Sequence, residues 1–443
     1  MSRTLGRLVT DLGERSTYDA ASQCSRCGYC ETACPTYVAT GRESRSGRGR
    51  NQLVRQMLEG RIAGSPDLQG ALNTCLLCGA CTSACYARVP TPDIVLEGRR
   101  MLGTAPRWVE MLLSFLFQRP SLLARTLKVA FIFKRLGLAW LARKSGILDL
   151  LGLKWLAAAD AHVGEAPSEF LVERLRTMRS SEMPAWFYLA SCGPNYLYPR
   201  VGLATVKALT ALRGPVRLLE SPCCGLVCYN YGDIEASREL ARRVILHWGR
   251  AAAEVEGGGD LPVVVDCSSC AAHMKSYPQL LLEDAAWSEP SRRFAGRVKD
   301  AVELLAEHAA GEGPPSPKAR SFSAGIVTWH DSCRCRHGQG IVDAPRKVLK
   351  ALAGEGFVEL PESDSCCGGA GAFSFSHPDL SDALLRRKIG SVASVHARVV
   401  AASATSCLIQ LAHGLKKYYP EAEVRHLSEI VADAVGEEPE RNP

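Results

Sequence analysis

The chain has 443 residues, 47% of them hydrophobic, and a formal net charge of +7. That length suits roughly two to four domains and that apolar content can bury a sizeable core, so a globular protein of several parts is expected. Nineteen cysteines, an odd number, combined with no N-terminal apolar stretch long enough for a signal peptide, argue against a secreted disulfide scaffold and predict the reducing cytoplasm, where clustered cysteines more often bind metal than each other.

The first elements are two cysteine runs, CSRCGYCETACP at residues 24–35 and CLLCGACTSACY at 75–86, both spaced C-x2-C-x2-C-x3-C. In that spacing a short loop wraps three thiolates around one 4Fe-4S cube while the fourth reaches a second cube. The rule assigns Cys24, Cys27, Cys30 and Cys85 to one cluster and Cys75, Cys78, Cys81 and Cys34 to the other. Gly28 and Gly79 take the same place in each run, where a missing side chain lets the loop approach its cluster. Zinc needs four tetrahedral ligands and has no use for eight in a doubled register. The runs differ at their ends, with Pro35 after the last cysteine of the first and Tyr86 after that of the second. Between them, SRSGRGRNQLVRQMLEG reads as a basic loop leading into a helix with Leu53, Val54, Met57 and Leu58 on one side, which predicts an α-helical two-cluster ferredoxin domain over residues 1–105. Its arginines are read as offsetting the negative charge of thiolate-ligated clusters, not as a nucleic-acid patch.

Residues 106–183 form a basic amphipathic helical linker. From Arg107 to Trp155 nine Lys or Arg face only Glu110 and Asp149, so this segment carries the whole net charge of +7. Residues 107–156 are too interrupted by charge to span a bilayer. Trp108, Phe115, Phe117, Phe131, Phe133 and Trp140 among leucines fit either peripheral contact with a membrane surface or packing on the flanking domains.

After residue 185 apolar strand-like runs (AWFYLA, VRLLE, PVVVD) alternate with helical stretches such as DIEASRELARRVILHWGRAAAEVE, which predicts parallel βαβ units. Each strand runs into cysteine: Cys192, then Cys223 and Cys224, then Cys267 and Cys270. Sites assemble at the carboxyl ends of parallel strands, so these five thiols are expected to converge. The order recurs as GIVTW to Cys333, FVEL to Cys366 and Cys367, and ARVVAA to Cys407. Cys333 follows Cys192 by 141 residues, Cys366 follows Cys223 by 143 and Cys407 follows Cys267 by 140, an internal duplication whose missing ligand falls at Gln410. Cys228 and Cys335 lie outside the repeat and read as buried bystanders, while His273, His330 and His337 read as packing or turn residues. Phe373 and Phe375 read as core. The fold class is thus α/β plus all-α: the ferredoxin domain, the linker, then two duplicated βαβ-type modules at residues 184–310 and 320–435.

SPCCGL and DSCCGGAG resemble the CCG modules of the heterodisulfide reductase superfamily. The whole order is similar to the iron-sulfur subunit of glycolate oxidase and its lactate-utilisation and anaerobic glycerol-3-phosphate dehydrogenase relatives, with CAAHMKSYPQLLLED, HDSCRCRHGQGIVDAPRKVL, LPESDSCCGGAGAFSF and SCLIQLAHGL as further shared words. Ser332 and Arg334 stand where the glycolate branch usually has Pro and His around its counterpart of Cys333. The resemblance implies a non-cubane 4Fe-4S cluster or zinc in the CCG modules. No G-x-G-x-x-G or phosphate loop occurs, so flavin is expected on a partner. The reading is an electron-transfer subunit of a flavin-linked oxidoreductase complex. It takes electrons from an FAD-containing 2-hydroxyacid dehydrogenase and passes them toward a quinone or membrane-associated acceptor, in the cytoplasm or peripherally on the cytoplasmic face of the inner membrane. Two alternatives stay open: a heterodisulfide reductase-like subunit that reduces a disulfide at a CCG cluster, and a ferredoxin-type carrier with zinc-binding CCG docking modules.

Overall fold

In the computed structural model, which describes residues 5–103, 112, 115–146, 148, 160–164, 166–178, 182–309, 325–371 and 373–435, the chain opens on a hairpin that the helical reading of this region did not anticipate. Strand β1 (Arg7–Thr10) pairs antiparallel with β2 (Gly13–Ser16). The Thr10 hydroxyl accepts from the Leu12 amide at 3.1 Å and donates to the Gly13 carbonyl at 2.9 Å, closing a turn too short to leave a pattern in the sequence. Helices Thr17–Ser22, Gly47–Leu58, Pro66–Asn73 and Thr91–Leu102 pack beneath it around Leu8, Val54, Leu72 and Ile94. The Gly47–Leu58 helix begins inside the stretch expected to be a loop. Ser46 Oγ accepts from the Gly49 amide at 2.9 Å, and this cap outweighs the two glycines of the first turn.

The linker contributes helices Pro120–Arg135, Leu138–Lys144 and Leu171–Thr177. It docks on its own flanks: Leu123 and Phe131 are buried, Phe131 meets Phe170 edge-on at 6.3 Å, and Lys134 pairs with Asp160 at 2.9 Å. Val129, Ile132, Phe133, Leu136, Trp140 and Leu141 stay exposed. Trp108, most of residues 104–114 and of 147–159, and the expected boundary at 310–320 lie outside the described residues. No described helix is long and apolar enough to cross a membrane.

Two small parallel sheets follow. The first has the order β4 (Val216–Leu218), β3 (Trp186–Leu189), β5 (Val263–Val265), β6 (Val298–Asp300), and the second β7 (Val327–Trp329), β8 (Val399–Ala402), β9 (Glu423–His426). The FVEL run expected to mirror β4 is reduced to a single bridge, Phe357 to Val327. The turn Gly354–Gly356 precedes it and Pro361, which has no amide hydrogen, cuts it short. Strands β6 and β9 were not foreseen, because VKD and EVRH are half polar and only their pairing makes them strands.

Strand register corrects the repeat. Tyr188 of β3 pairs with Val264 of β5, and Trp329 of β7 pairs with Ala401 of β8. Three residues on, Cys267 and Ala404 each cap a helix, Ser268–Lys275 and Thr405–Tyr418. The Cys267 carbonyl accepts from the Cys270 and Ala271 amides at 2.8 and 3.0 Å, and that of Ala404 from the Cys407 and Leu408 amides, both at 3.0 Å. Cys407 is therefore the counterpart of Cys270, 137 residues on, and not of Cys267. The missing thiol is at Ala404 and not Gln410, which answers to His273. His273 contacts Ser237 Oγ at 3.3 Å just as Gln410 Nε2 donates to Ser381 Oγ at 2.9 Å.

The modules meet about a local two-fold relation. The Ser268 amide donates to the Ser403 carbonyl at 2.9 Å and the Ser268 hydroxyl to Ser403 Oγ at 2.7 Å. Helix Cys192–Tyr196 packs on Thr405–Tyr418, and helix Cys333–Gln339 packs on Ser268–Lys275. One apolar core is shared, Trp186, Val264 and Leu305 meeting Trp329, Val399 and Leu427. Gly193 lies in this joint, where an added Cβ would stand 2.2 Å from Thr405 Oγ1. Gly193→Ala should therefore destabilise by about 1–3 kcal/mol through overpacking. Gly249→Ala, in open space on helix Ile234–Ala253, should be neutral or stabilise by up to about 1 kcal/mol, both read by denaturant melts.

Candidate metal centres

The two N-terminal runs fold into twin loops. Arg26 and Gly28 have φ of 62° and 92°, and Leu77 and Gly79 repeat this with 53° and 82°. Alternate left-handed residues turn successive thiols inward, a conformation that costs the two non-glycine residues strain. Cys24, Cys27, Cys30 and Cys85 line one cavity, Cys34, Cys75 and Cys78 line a second, and Cys81 borders both. Gly47 fits between them, for a Cβ there would approach Cys81 Cβ to 2.8 Å and Cys30 Sγ to 3.4 Å. Burial pushes the Cys30 thiol up to about 11 and raises Cys78 and Cys81 as well. Such thiols become thiolates when a metal holds them, and four soft donors around each cavity fit an iron-sulfur group.

Of the basic residues read as charge compensation, Arg48 and Arg50 reach the site, Arg50 as the buried one. Arg50 donates to the Ala71 carbonyl at 2.9 Å, to Thr36 and Thr74 hydroxyls at 3.1 Å, and to Cys34 Sγ at 3.8 Å. Arg99, outside that basic stretch, braces the second loop through the Leu72, Asn73 and Cys75 carbonyls. Arg48 lines the first cavity, donating to the Arg26 carbonyl at 3.3 Å while paired with Glu31 at 2.6 Å and Glu43 at 2.9 Å.

In the first CCG module five thiols gather at the ends of β3, β4 and β5. Cys223 and Cys270 hydrogen-bond toward Cys192 and Cys224, and Cys270 also toward Cys267. These bonds lower Cys192, Cys224 and Cys267, the acceptors, and raise Cys223 and Cys270, the donors. Around them, Asp266 accepts from Ser191 Oγ at 2.6 Å and from Tyr188, and burial brings its carboxyl up to about 6. Tyr277 donates to the Cys224 carbonyl at 2.8 Å. Phe117, Pro120 and Leu123 of the linker wall the cavity containing Cys192, Cys223 and Cys224, a role that composition and periodicity did not signal.

The second module is built differently. Cys366 hydrogen-bonds with Cys367, and Cys367 with Cys407. Cys333 and Cys366 lie within electrostatic reach of Cys78, and Cys366 packs in one cluster with Leu76 and Phe373. His273 and His337 contact Ser237 and Ser83 hydroxyls at 3.3 and 2.8 Å, and Phe373 is buried, as packing readings imply. His330 departs from that reading: its ring lies with Cys367 and Cys407 in a group whose ligand atoms are all within 4.8 Å of one another. The available signal was its position at the end of β7, three residues before Cys333. Cys335 is buried with its thiol 3.9 Å from the Ile341 carbonyl, and Cys228 is buried beside Ala236 and Leu240.

The N-terminal site is tied to the first module by helix Thr91–Leu102. Glu97 and Arg100 form an ion pair with no exposed side-chain surface. Glu97 also accepts from the Leu5 amide at 3.1 Å, while Arg100 donates to the Tyr229 carbonyl at 3.3 Å and lies 4.5 Å from the Tyr229 ring.

Residues 20–89 match the 4Fe-4S dicluster domain, and residues 186–275 and 327–412 match the cysteine-rich CCG domain. Over 453 residues the chain is 27% identical to the probable glycolate oxidase iron-sulfur subunit of Bacillus subtilis (strain 168), covering 98% of each. It is 28% identical over 428 residues to the glycolate oxidase iron-sulfur subunit of Escherichia coli (strain K12), covering 94% of each. Lactate utilization protein A of an Exiguobacterium species is 28% identical over 256 residues, 57% of this chain and 99% of that protein.

Removing one partner of the buried pair leaves the other charge uncompensated. Glu97→Ala should cost about 3–5 kcal/mol of unfolding free energy, measured by denaturant titration of the full chain.

Proposed function

From a chain that carries a 4Fe-4S dicluster domain and two CCG domains, and is similar along nearly its whole length to glycolate oxidase iron-sulfur subunits, we propose the electron-transfer subunit of a flavoprotein 2-hydroxyacid dehydrogenase, delivering electrons toward a quinone. The observation that carries this reading is the pair of adjacent cavities lined by the eight cysteines of the two runs, adjoined through Cys78 to the second CCG module and through Arg100 to the first. Iron-sulfur clusters held there supply one-electron redox chemistry. The chain's own part is to hold and tune them. Cys24, Cys27, Cys30 and Cys85 form one ligand set, and Cys34, Cys75, Cys78 and Cys81 the other. Arg50 places a buried positive charge against Cys34, which favours the reduced, more negative state. In the first module Cys192, Cys223, Cys224, Cys267 and Cys270 are the candidate ligands, and the linker residues Phe117, Pro120 and Leu123 limit solvent at that site.

The test is to purify the chain anaerobically and add a glycolate- or lactate-oxidising flavoprotein from the same source with its substrate. Bleaching of the iron-sulfur absorption should require both additions, and Cys224→Ser should still bleach in part but lose quinone reduction. Oxidation of the hydroxyacid by this chain alone, or no bleaching with any such partner, would overturn the reading.

The exposed apolar residues of the linker, set among Arg125 and Lys144, favour a peripheral contact with an anionic membrane surface. Lys134 and Arg135 are held by Asp160 and by the Ala166 and Pro167 carbonyls, so the apolar face is the sharper probe. Phe133→Glu with Trp140→Glu should abolish cosedimentation with vesicles containing anionic lipid while leaving the melt unchanged, and undiminished cosedimentation would assign the face to packing.

A further inference from the structure

The corrected register shows that the second CCG module is not the first with a ligand removed. It has exchanged one. At the counterpart of Cys267 stands Ala404, and at the counterpart of the buried Leu189 stands His330. Where the first module presents a thiol at the helix cap and a hydrocarbon at the strand end, the second presents a methyl group and an imidazole.

His330 is 1% exposed, and neither ring nitrogen has a hydrogen-bond partner. The neighbouring Ser363 carbonyl attracts the ring without a hydrogen bond of good geometry, both of its lone pairs being engaged by the Asp331 amide at 3.0 Å and Lys388 Nζ at 3.2 Å. Buried imidazoles normally satisfy at least one nitrogen, so an orphaned pair calls for a missing partner. The ring is also held firmly by its surroundings. Trp329 Nε1 donates to Asp331 at 2.7 Å, and Arg336 and Arg346 pin the same carboxylate at 2.9 and 2.8 Å, fixing the backbone on either side of His330. Its nitrogens, Cys367 Sγ and Cys407 Sγ lie within 4.8 Å of one another, all buried. Ligands of one tetrahedral zinc-class ion, at about 2.0–2.1 Å for nitrogen and 2.3 Å for sulfur, stand about 3.5–3.8 Å apart. Three donors can reach that spacing by small side-chain rotations. Lys388, fully buried and donating to the Glu362 and Ser363 carbonyls at 2.5 and 3.2 Å, adds a positive charge beside the cysteine loop that suits a thiolate-rich site.

We propose that the second module binds a single zinc-class ion through His330, Cys367 and Cys407, with Cys366, hydrogen-bonded to Cys367, as the fourth ligand. Zinc is redox-inert, so this module is a structural site and not a step for electrons. The ion cross-links the ends of β7 and β8 to the cysteine loop against which Leu76 and Cys78 pack, and so fixes the wall of the neighbouring four-thiol cavity. The inference rests on the electron-transfer reading only in assigning the redox role to the other centres.

The test uses the full chain purified anaerobically from iron- and zinc-replete cells. It combines zinc and iron determination, zinc-edge X-ray absorption and bleaching by the flavoprotein partner, all on the same preparation. Wild type should hold about one zinc with a mixed nitrogen and sulfur shell. His330→Leu, which restores the residue of the first module, should weaken zinc at least about tenfold in chelator competition without changing the iron count. His330→Cys should keep zinc with an all-sulfur shell, which separates loss of a ligand from loss of the fold. Absence of zinc from wild type, or a sulfur-only shell untouched by His330→Leu, overturns the proposal even where bleaching is normal. Zinc with the expected shell in a preparation that the partner cannot bleach upholds it and counts against the electron-transfer reading instead.

Discussion

The two hydrogen bonds between Ser268 and Ser403 are the joint on which the arrangement of centres depends. They lie at the carboxyl ends of β5 and β8, where each sheet hands over to the helix that carries a cysteine. Because both residues are fully buried, breaking these bonds would strand polar groups away from water, and this favours one relative position of the modules. The second module faces the N-terminal cavity that contains Cys78, and the first faces the linker.

Crowding so many sulfur ligands into an interior has an electrostatic consequence. Thiolates in low dielectric repel one another and lose hydration, and burial accordingly raises the Cys30, Cys78 and Cys81 thiols. The fold answers with buried cations used sparingly: Arg50 beside Cys34, Arg99 on the carbonyls of the second loop, and Lys388 by the second module. Among the described residues of the linker, Arg125, Lys128 and Lys144 lie on the surface with the exposed aromatic residues.

The duplication also shows how equivalent halves acquire different chemistry. Cap geometry, sheet order and the Ser237 and Ser381 contacts are kept, while Cys267 becomes Ala404, Leu189 becomes His330 and His273 becomes Gln410. Three substitutions within an unchanged frame alter the donor set. The fourth strand of the second sheet has shrunk to one bridge at the sheet edge, whose Phe357 still packs against the shared core.

The amino-acid order alone determined the two cysteine runs, the strand-to-cysteine alternation and the presence of a repeat. Ligand loops are encoded by short spacings, and buried parallel strands by short apolar runs, so both can be read within a few residues. It did not determine which cysteine answers to which. Counting from Cys267 to Cys407 gives 140 residues, nearer the 141 and 143 of the other pairs than the 137 from Cys270, and only the pairing of Tyr188 with Val264 and of Trp329 with Ala401 overturns that count. Nor did it reveal that the Ser46 cap draws the basic stretch into a helix, that Phe117 and Leu123 wall the first centre, or that His330 approaches Cys367 and Cys407. The cap competes with a local glycine and arginine content that argues for a loop. The other contacts join residues from about 35 to more than 100 positions apart, and such proximity is created by packing and register, which no local pattern carries.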